Sequence, residues 1–223
     1  VPAVVGQPVL TPQDFRDRIR HLKGHPLARA GFEMALWDLA GKRQGQSVAA
    51  LLGGTRERVE VGVSVGIQRN VPTLVDTVAG YMQAGYARVK LKIKPGRDLD
   101  EVRAVRRAFP DLRLQVDANS AYALEQAAVF EAMEALDLLL IEQPLAEDDL
   151  VDHSRLQARL RTPLCLDESI LTARHARQAL EIGACRVINI KSGRVGGLTE
   201  AQAIHALCLE LGAPVWCGGM LET

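Results

Sequence analysis

Along residues 1–58 the apolar positions recur at helical spacing. Leu27, Ala30, Met34 and Trp37 return every three or four residues, which predicts a helix over Pro26–Ala40 with Met34 and Trp37 on its core stripe. Thr11-Pro12-Gln13-Asp14 reads as a helix start, with Thr as N-cap, Pro at the first helical position and an acid in the first turn. Ser47–Leu52 is a short third helix, stopped by Gly53-Gly54. From about Val59 the texture changes to short strand-like runs that alternate with helical stretches. The predicted strands are Val59–Gly66, Ala87–Ile93, Leu112–Asn119, Leu138–Gln143, Pro163–Ser169, Arg186–Ser192 and Pro214–Gly218. Patterns such as Val102-Val105-Arg106-Phe109 and Ala203-Ile204-Leu207-Leu211 mark helices between them. This alternation implies βαβ units and a parallel sheet. Seven strands in series suit an α/β fold of the (β/α)8-type barrel better than a five-stranded open sheet.

A repeat shows best in the ionisable residues near the strand ends. Lys92, Asp117, Glu142, Asp167 and Lys191 follow one another at intervals of 25, 25, 25 and 24 residues. In a barrel, the C-terminal ends of parallel strands converge on the face where active sites sit. Strand parity sharpens the pattern, because successive side chains alternate faces. Gln115, Asp117 and Asn119 share one face, opposite Leu114, Val116 and Ala118. Lys90 and Lys92 share another, opposite Val89, Leu91 and Ile93. Asn189 and Lys191 oppose Ile188 and Ile190, and Gly62 and Ser64 oppose Val61, Val63 and Val65. The apolar sides must pack on the helices, so the polar sides must point into the barrel.

Taken singly, each of these residues has an ordinary explanation. An acid at a strand end is usually a helix cap or a surface charge, and Asp167-Glu168-Ser169 could simply cap the next helix. A lone lysine is usually solvated. Five in phase, three acids bracketed by two lysines, argue for a site. Buried carboxylates that converge without a cation repel one another and raise their pKa values. A divalent ion removes the conflict, and an all-oxygen donor set suits Mg²⁺ or Mn²⁺.

Such a set could remove a proton from the carbon beside a carboxylate, because a metal stabilises the charge that develops on the carboxylate oxygens. Free lysine is too protonated at neutral pH to be the base. Lys90, the metal charge and partial desolvation should lower the pKa of Lys92. Lys191 would approach from the other side, and a base on each face permits racemisation or epimerisation.

The motifs Lys90-Leu91-Lys92, Val116-Asp117-Ala118-Asn119, Ile141-Glu142-Gln143-Pro144, Leu166-Asp167-Glu168-Ser169 and Asn189-Ile190-Lys191, in this order, resemble the enolase superfamily, muconate-lactonising branch. Lys or His bases with Mg²⁺ are characteristic of that superfamily. Within the branch, Lys191–Gly197 and Trp216–Thr223 look like the N-acylamino acid racemases and o-succinylbenzoate synthases. The resemblance implies Asp117, Glu142 and Asp167 as ligands for Mg²⁺, or Mn²⁺ or Co²⁺ in its place. It implies Lys92 and Lys191 as the acid/base pair, and Lys90, Ser64, Asn119, Gly218 and Met220 as substrate-binding residues. The implied activity is racemisation of N-acylamino acids, with o-succinylbenzoate synthesis by dehydration beside it. In that second reaction Lys92 takes the proton and Lys191 serves as a cation. A dipeptide epimerase or cycloisomerase of the same branch is the alternative, and a non-catalytic barrel fragment that binds metal or small acids is the alternative of another class. The implied domains are 1–58, the helical part of a capping domain, and 59–223, the barrel. The eighth strand and the rest of the capping domain are not found, which reads as a fragment.

The other signals change little. Lys plus Arg number 27 and Asp plus Glu 27, so no basic face is implied and nucleic acid is not expected as a partner. No apolar run approaches the roughly 18 residues of a membrane span, and Val1-Pro2-Ala3 begins no signal pattern. Cys165, Cys185, Cys208 and Cys217 form no C-x-x-C pair and read as reduced, packed thiols of a cytoplasmic protein. The expected partners are a small carboxylate substrate and further copies of the chain in a homo-oligomer. Gly193-x-x-Gly196-Gly197 lacks the spacing of a nucleotide loop and reads as a tight turn. His21, His25, His153, His175 and His205 fall on no strand end, against a zinc site or a Ser/His/Asp triad.

Overall fold

The computed structural model describes residues 5, 6, 8 and 11–220. In chain order the elements are the helices α1 (Pro12–Ile19), α2 (Pro26–Gln44) and α3 (Val48–Leu51), then β1 (Val63–Val65), α4 (Val71–Gln83), β2 (Arg88–Lys92) and α5 (Leu99–Ala108). They continue through β3 (Arg113–Asp117), α6 (Ala127–Met133), β4 (Ile141–Glu142), α7 (Leu150–Gln157), β5 (Leu164–Leu166) and α8 (Ala173–Glu181). The last are β6 (Val187–Ile190), the short α9 (Ser192–Val195), α10 (Leu198–Glu210) and β7 (Val215–Cys217). Strands are hydrogen-bonded in the order β1 to β7, each beside its predecessor. The pairs from β1·β2 to β5·β6 are parallel. This is the connectivity of a (β/α)8 barrel, seven strands of which fall among the described residues.

The chain divides into two compact units, one of residues 59–169 with 177–188, the other of 1–58 with 170–176 and 189–223. In the first, the predicted alternation holds through the middle of each strand. Val89, Leu91, Leu114, Val116, Ile141, Leu164 and Leu166 are buried and form the apolar side. Gln115, Asp117, Glu142 and Asp167, on the polar side, are buried too. Parallel sheets bury both faces, so the polar row has to find its partners inside the protein.

The strands are shorter than their sequence pattern suggests, for local reasons. The alternation runs on to Asn119 and Gln143, yet both have left-handed backbones, φ 42° and 37°, and regular strand ends at Asp117 and Glu142. The first strand pairs with β2 only from Val63 onward. Val59 and Val61, expected to pack on helices, are instead 72% and 65% exposed. Asp167-Glu168-Ser169 does not cap α8, whose first turn is held by the Thr172 hydroxyl accepting from the His175 N–H. His153 is structural: its Nε2 accepts from the Leu145 N–H at 3.2 Å and its Nδ1 lies 2.6 Å from the Asp149 carbonyl. Burial pushes its imidazole pKa down, consistent with a neutral ring in that role.

In the second unit α1 starts as predicted, with a reciprocal capping box between Thr11 and Asp14. The second helix runs four residues past Ala40, to Gln44. Met34 and Trp37 are only half-buried, whereas Glu33 on the same helix is fully buried, and Ala30 and Gly41 are buried too. The Glu33 carboxylate accepts from the Leu198 and Thr199 N–H groups at 2.8 and 2.9 Å, from the Thr199 hydroxyl, and from Trp37 Nε1 at 3.0 Å. It thereby caps α10, which has Gly197 at its own N-cap and no side-chain cap there. Gly197 has φ 132°, and a Cβ on it would lie 2.3 Å from Glu33 Oε2. Of the predicted Gly193–Gly197 turn, Gly193–Val195 lie instead in the short helix α9, and only Gly196-Gly197 turn, with Gly197 kept bare so that Glu33 can reach the helix end. The motif residues Leu221, Glu222 and Thr223 lie outside the described residues. Glu33→Ala should lower the unfolding free energy by roughly 2–4 kcal/mol, since it leaves two backbone donors and the Thr199 hydroxyl without their acceptor, while Trp37 Nε1 keeps Thr199 Oγ1. A urea titration at unchanged m-value measures the loss, and a midpoint equal to that of the parent protein would refute the capping role.

Candidate active site

The polar row of the first unit is assembled by register. Ser64 stands opposite Lys90 on the β1·β2 pair, and Lys90 opposite Gln115. One step further along, Lys92 stands opposite Asp117, and Asp117 opposite Glu142. The row then shifts: Glu142 pairs with Cys165, two residues before Asp167. The even spacing in sequence is thus not an even level in the sheet. Asp167 is displaced by two residues along the strand, about 6–7 Å, which keeps its facing but not its height. Tilted barrel strands produce this kind of stagger.

The side chains form an alternating charge cluster. Lys90 Nζ lies 2.7 Å from Asp117 Oδ2 and 3.1 Å from both Glu142 carboxylate oxygens. Lys92 Nζ lies 2.6 Å from the same Asp117 oxygen and also donates to Asn119 Oδ1. Asn119 lies past the end of β3 with a left-handed backbone. Its left-handed turn is fixed by its own N–H donating to Asp117 Oδ1 at 3.0 Å, and its Nδ2 donates to Glu168 Oε1 at 2.8 Å. It reaches Lys92 through a turn and not through strand alternation, as its predicted place on β3 had implied. The other Glu168 oxygen is buried without a hydrogen-bond partner. Ser64 is exposed.

Burial sets the electrostatics, and neighbours redistribute it. Burial alone would push the Lys90 ammonium down, but the Glu142 and Asp117 carboxylates outweigh it and hold its pKa above the ordinary lysine value. Burial raises Asp117, and Lys90 with Lys92 bring it below the ordinary aspartate value. Glu142 goes the other way. Burial and the Asp117 carboxylate raise it, Lys90 lowers it, Asp167 raises it again, and the result is about 7. Three carboxylates therefore act on one another within this unit, and two amines do not fully compensate them.

That imbalance tests whether a divalent cation fits. The donors are buried carboxylate oxygens, the type that hard cations take, and the pKa of one is pushed up by burial and by its acidic neighbours, which an added positive charge would oppose. The side chains as placed are not a finished cage. Among the described residues no three acidic, thiol or imidazole groups stand together as an ion-holding group. The residues fit a divalent cation by donor chemistry.

The second unit carries the remaining predicted site residues. Lys191 follows β6 in an extended conformation and precedes α9. Asn189 is buried, and its Oδ1 accepts from the Gly218 N–H at 2.9 Å, while the same N–H lies 3.1 Å from the Ile190 carbonyl. A Cβ on Gly218 would meet Asn189 Oδ1 at 2.7 Å and Lys191 Cε at 2.8 Å. Gly218 thus makes room for the Lys191 side chain. Met220 is 36% exposed. Sequence reasoning missed Arg194, a buried guanidinium whose Nε and Nη2 donate to the Ile170 and Asn189 carbonyls at 2.9 and 2.6 Å. A charged residue inside a Gly-rich turn was the available signal. Of the four cysteines, all free, Cys165, Cys185 and Cys208 are buried as expected, whereas Cys217 is exposed because the short last strand leaves it outside the core. No helix among the described residues is long and apolar enough to cross a membrane.

Comparison with known proteins places these features in a family. Residues 1–53 match the model of the mandelate racemase / muconate lactonizing enzyme N-terminal domain, and residues 73–223 match that of the enolase C-terminal domain-like family. The chain is 53% identical over 222 residues to an o-succinylbenzoate synthase of Geobacillus kaustophilus, covering 100% of this chain and 59% of that protein. It is 47% identical over 224 residues to an N-succinylamino acid racemase of an Amycolatopsis species, covering 100% and 61%. A solved enolase-superfamily member from Listeria innocua superposes with a TM-score of 0.94 at 43% identity, covering 100% of this chain and 60% of that one. A dipeptide epimerase from Enterococcus faecalis, solved with Mg and the dipeptide L-Leu-L-Tyr, superposes with a TM-score of 0.88 at 27% identity, covering 96% and 62%. The chain spans about three fifths of the length of the curated relatives it matches.

The raised Glu142 carboxyl has a consequence for stability. Its folded pKa is about 7 against an ordinary 4.5, so between these values the folded protein holds a proton that the unfolded chain has released. Stability from this group is greatest below pH 4.5, falls as pH rises through the window, and stays at its lower level above 7. In EDTA-treated protein, the fall in melting temperature between pH 5 and pH 8 should be smaller for Glu142→Gln than for the parent. Equal falls in the two proteins would refute the shift.

Proposed function

The chain belongs to the mandelate racemase / muconate lactonizing enzyme family of enolase-like proteins, and we propose that the protein carrying it abstracts a proton alpha to a carboxylate. The substrate we assign is an N-acylamino acid, and the reaction is its racemisation. The observation that supports this most is the cluster of Lys90 and Lys92 with the buried carboxylates of Asp117 and Glu142 on neighbouring parallel strands. Such a cluster is costly to fold and contributes little to stability compared with apolar packing. Family membership and the whole lysine–carboxylate set also weigh for catalysis over a barrel that only binds acids.

Asp117, Glu142 and Asp167 would hold a divalent cation, Mg²⁺ in our reading, with Mn²⁺ or Co²⁺ able to replace it. When bound, the cation supplies electrostatic stabilisation to the substrate carboxylate as the α-carbon loses its proton. Lys92 takes that proton at Nζ. Asn119 holds Lys92 by its Oδ1, and Asp117 holds it from the sheet side, so the amine is oriented before substrate arrives. Lys90 offsets the carboxylates that would otherwise repel an anionic substrate. Lys191 returns a proton from the opposite face of the carbon, and Gly218 keeps its path clear. Ser64 and Met220, both exposed, are assigned to the substrate side of the site. A small carboxylate as ligand, homo-oligomeric assembly and a cytoplasmic setting belong to the same reading.

A second activity is favoured by a specific observation, the 53% identity to an o-succinylbenzoate synthase. In that dehydration Lys92 again takes the proton, and Lys191 remains an ammonium beside the developing negative charge. A dipeptide epimerase is less favoured, since the similarity to an L-Ala-D/L-Glu epimerase of Bacillus subtilis is 29%.

The full-length protein, an N-succinylamino acid and Mg²⁺ in D₂O should give α-deuterium in both enantiomers, and EDTA should stop it. Lys191→Ala should abolish racemisation but leave exchange in the one enantiomer whose proton faces Lys92. Lys92→Ala should show the mirror-image pattern. NMR of the recovered substrate reads both, and exchange in both enantiomers with either lysine removed would overturn the two-base assignment. Gly218→Ala should lower kcat about 100-fold through displacement of Lys191, with Lys92-side exchange largely kept. An unchanged kcat would show that the glycine is not needed for that lysine's position.

A further inference from the structure

Gln143 follows the second acid of the row directly, and the reaction described above gives it no role. It is fully buried, and its side-chain amide is saturated. Oε1 accepts from the Asp167 N–H at 2.9 Å and from the Ser169 N–H at 3.3 Å. Nε2 donates to Ser169 Oγ at 2.8 Å and to the Leu145 carbonyl at 3.3 Å. Two donors and two lone pairs are all that a carboxamide has, so none is left to touch a ligand.

The place of these bonds matters. Backbone pairing between β4 and β5 joins Ile141 to Leu164 and Glu142 to Cys165, and the Gln143 N–H still donates to the Cys165 carbonyl at 2.8 Å. There the ladder stops, because Gln143 turns into the left-handed region at φ 37°. Asp167 lies beyond that last rung, so the backbone ladder does not reach it. The Gln143 amide takes over where the ladder ends: one side chain grips the N–H of Asp167 and both the N–H and the hydroxyl of Ser169.

We propose that Gln143 is a positioning residue for the cation site, tying the segment that carries Asp167 to the strand end that carries Glu142. The inference rests on the reading of those two carboxylates as cation ligands. Without the tie, the staggered third acid would be free to move relative to the second, and the ligand set would have to be ordered anew each time an ion binds. Groups that hold metal ligands in place commonly cost 10- to 100-fold in metal affinity when removed.

The test uses the full-length protein with Mn²⁺ as the probe, its Kd read by titration calorimetry and by the loss of the free Mn²⁺ electron paramagnetic resonance signal. Gln143→Met keeps the length of the side chain and removes all four bonds. Ser169→Ala removes one partner and leaves the backbone untouched, so it reports even if the first variant does not fold. The expected result is a Kd raised about 10- to 100-fold in Gln143→Met and by a smaller factor in Ser169→Ala, with the calorimetric stoichiometry unchanged. Kd values within twofold of the parent protein in the variants that fold would overturn the proposal. So would a lower urea midpoint with an unchanged Kd, which is the signature of a merely structural amide. If the parent protein itself binds no Mn²⁺, the cation reading falls and this inference falls with it, an outcome distinct from parent and variants binding alike.

Discussion

Charges buried at the ends of parallel strands must be matched inside the protein, because water cannot do it. That constraint organises the first unit. Asp117, Glu142 and Asp167 are fully buried, and each would be costly alone. Lys90 spans Asp117 and Glu142, Lys92 shares the same Asp117 oxygen, and Asn119 closes the far side of Lys92. The match is incomplete by design of the register: Glu142 stands beside Asp117 and feels Asp167 as well, and its carboxyl is held near neutral pH.

The same demand for partners explains features away from the carboxylates. Glu33 is an acid in the interior of a helix, satisfied by the first turn of α10. Arg194 is a buried guanidinium satisfied by two carbonyls, one of them from Asn189, the residue that also receives the Gly218 N–H. In each case a charged or amide side chain supplies hydrogen bonds at the point where a helix or strand runs out of its own. Gln143 does this at the end of β4.

The strand order and the facing of Lys90, Lys92, Gln115 and Asp117 were legible in the chain, because a two-residue alternation survives any tilt of the sheet. The limits of the strands were not, since Asn119 and Gln143 continue the pattern of polar and apolar letters while their backbones have left the strand. Nor was the exposure of Val59 and Val61, whose letters match Val63 and Val65 but whose backbone pairs with no strand among the described residues. Met34 and Trp37 were legible as one face of a helix. The buried acid beside them was not, because periodicity assigns charged residues to the outside.

The sequence by itself determined a series of βα units, an ionisable side chain near the end of five of the seven strands, and the polar face shared by Lys90, Lys92, Gln115 and Asp117. Spacing and parity decide this, and both are properties of the chain alone. Only the tertiary structure decided at what height each group stands and what holds it there. Height depends on the stagger between neighbouring strands, which places Asp167 two residues beyond the partner of Glu142. The supports depend on hydrogen bonds between residues far apart in sequence, such as Lys90 with Glu142, Gln143 with Ser169 and Glu33 with Thr199. No local pattern encodes these, because they exist only when the folded chain brings an unsatisfied donor and a buried acceptor to the same point.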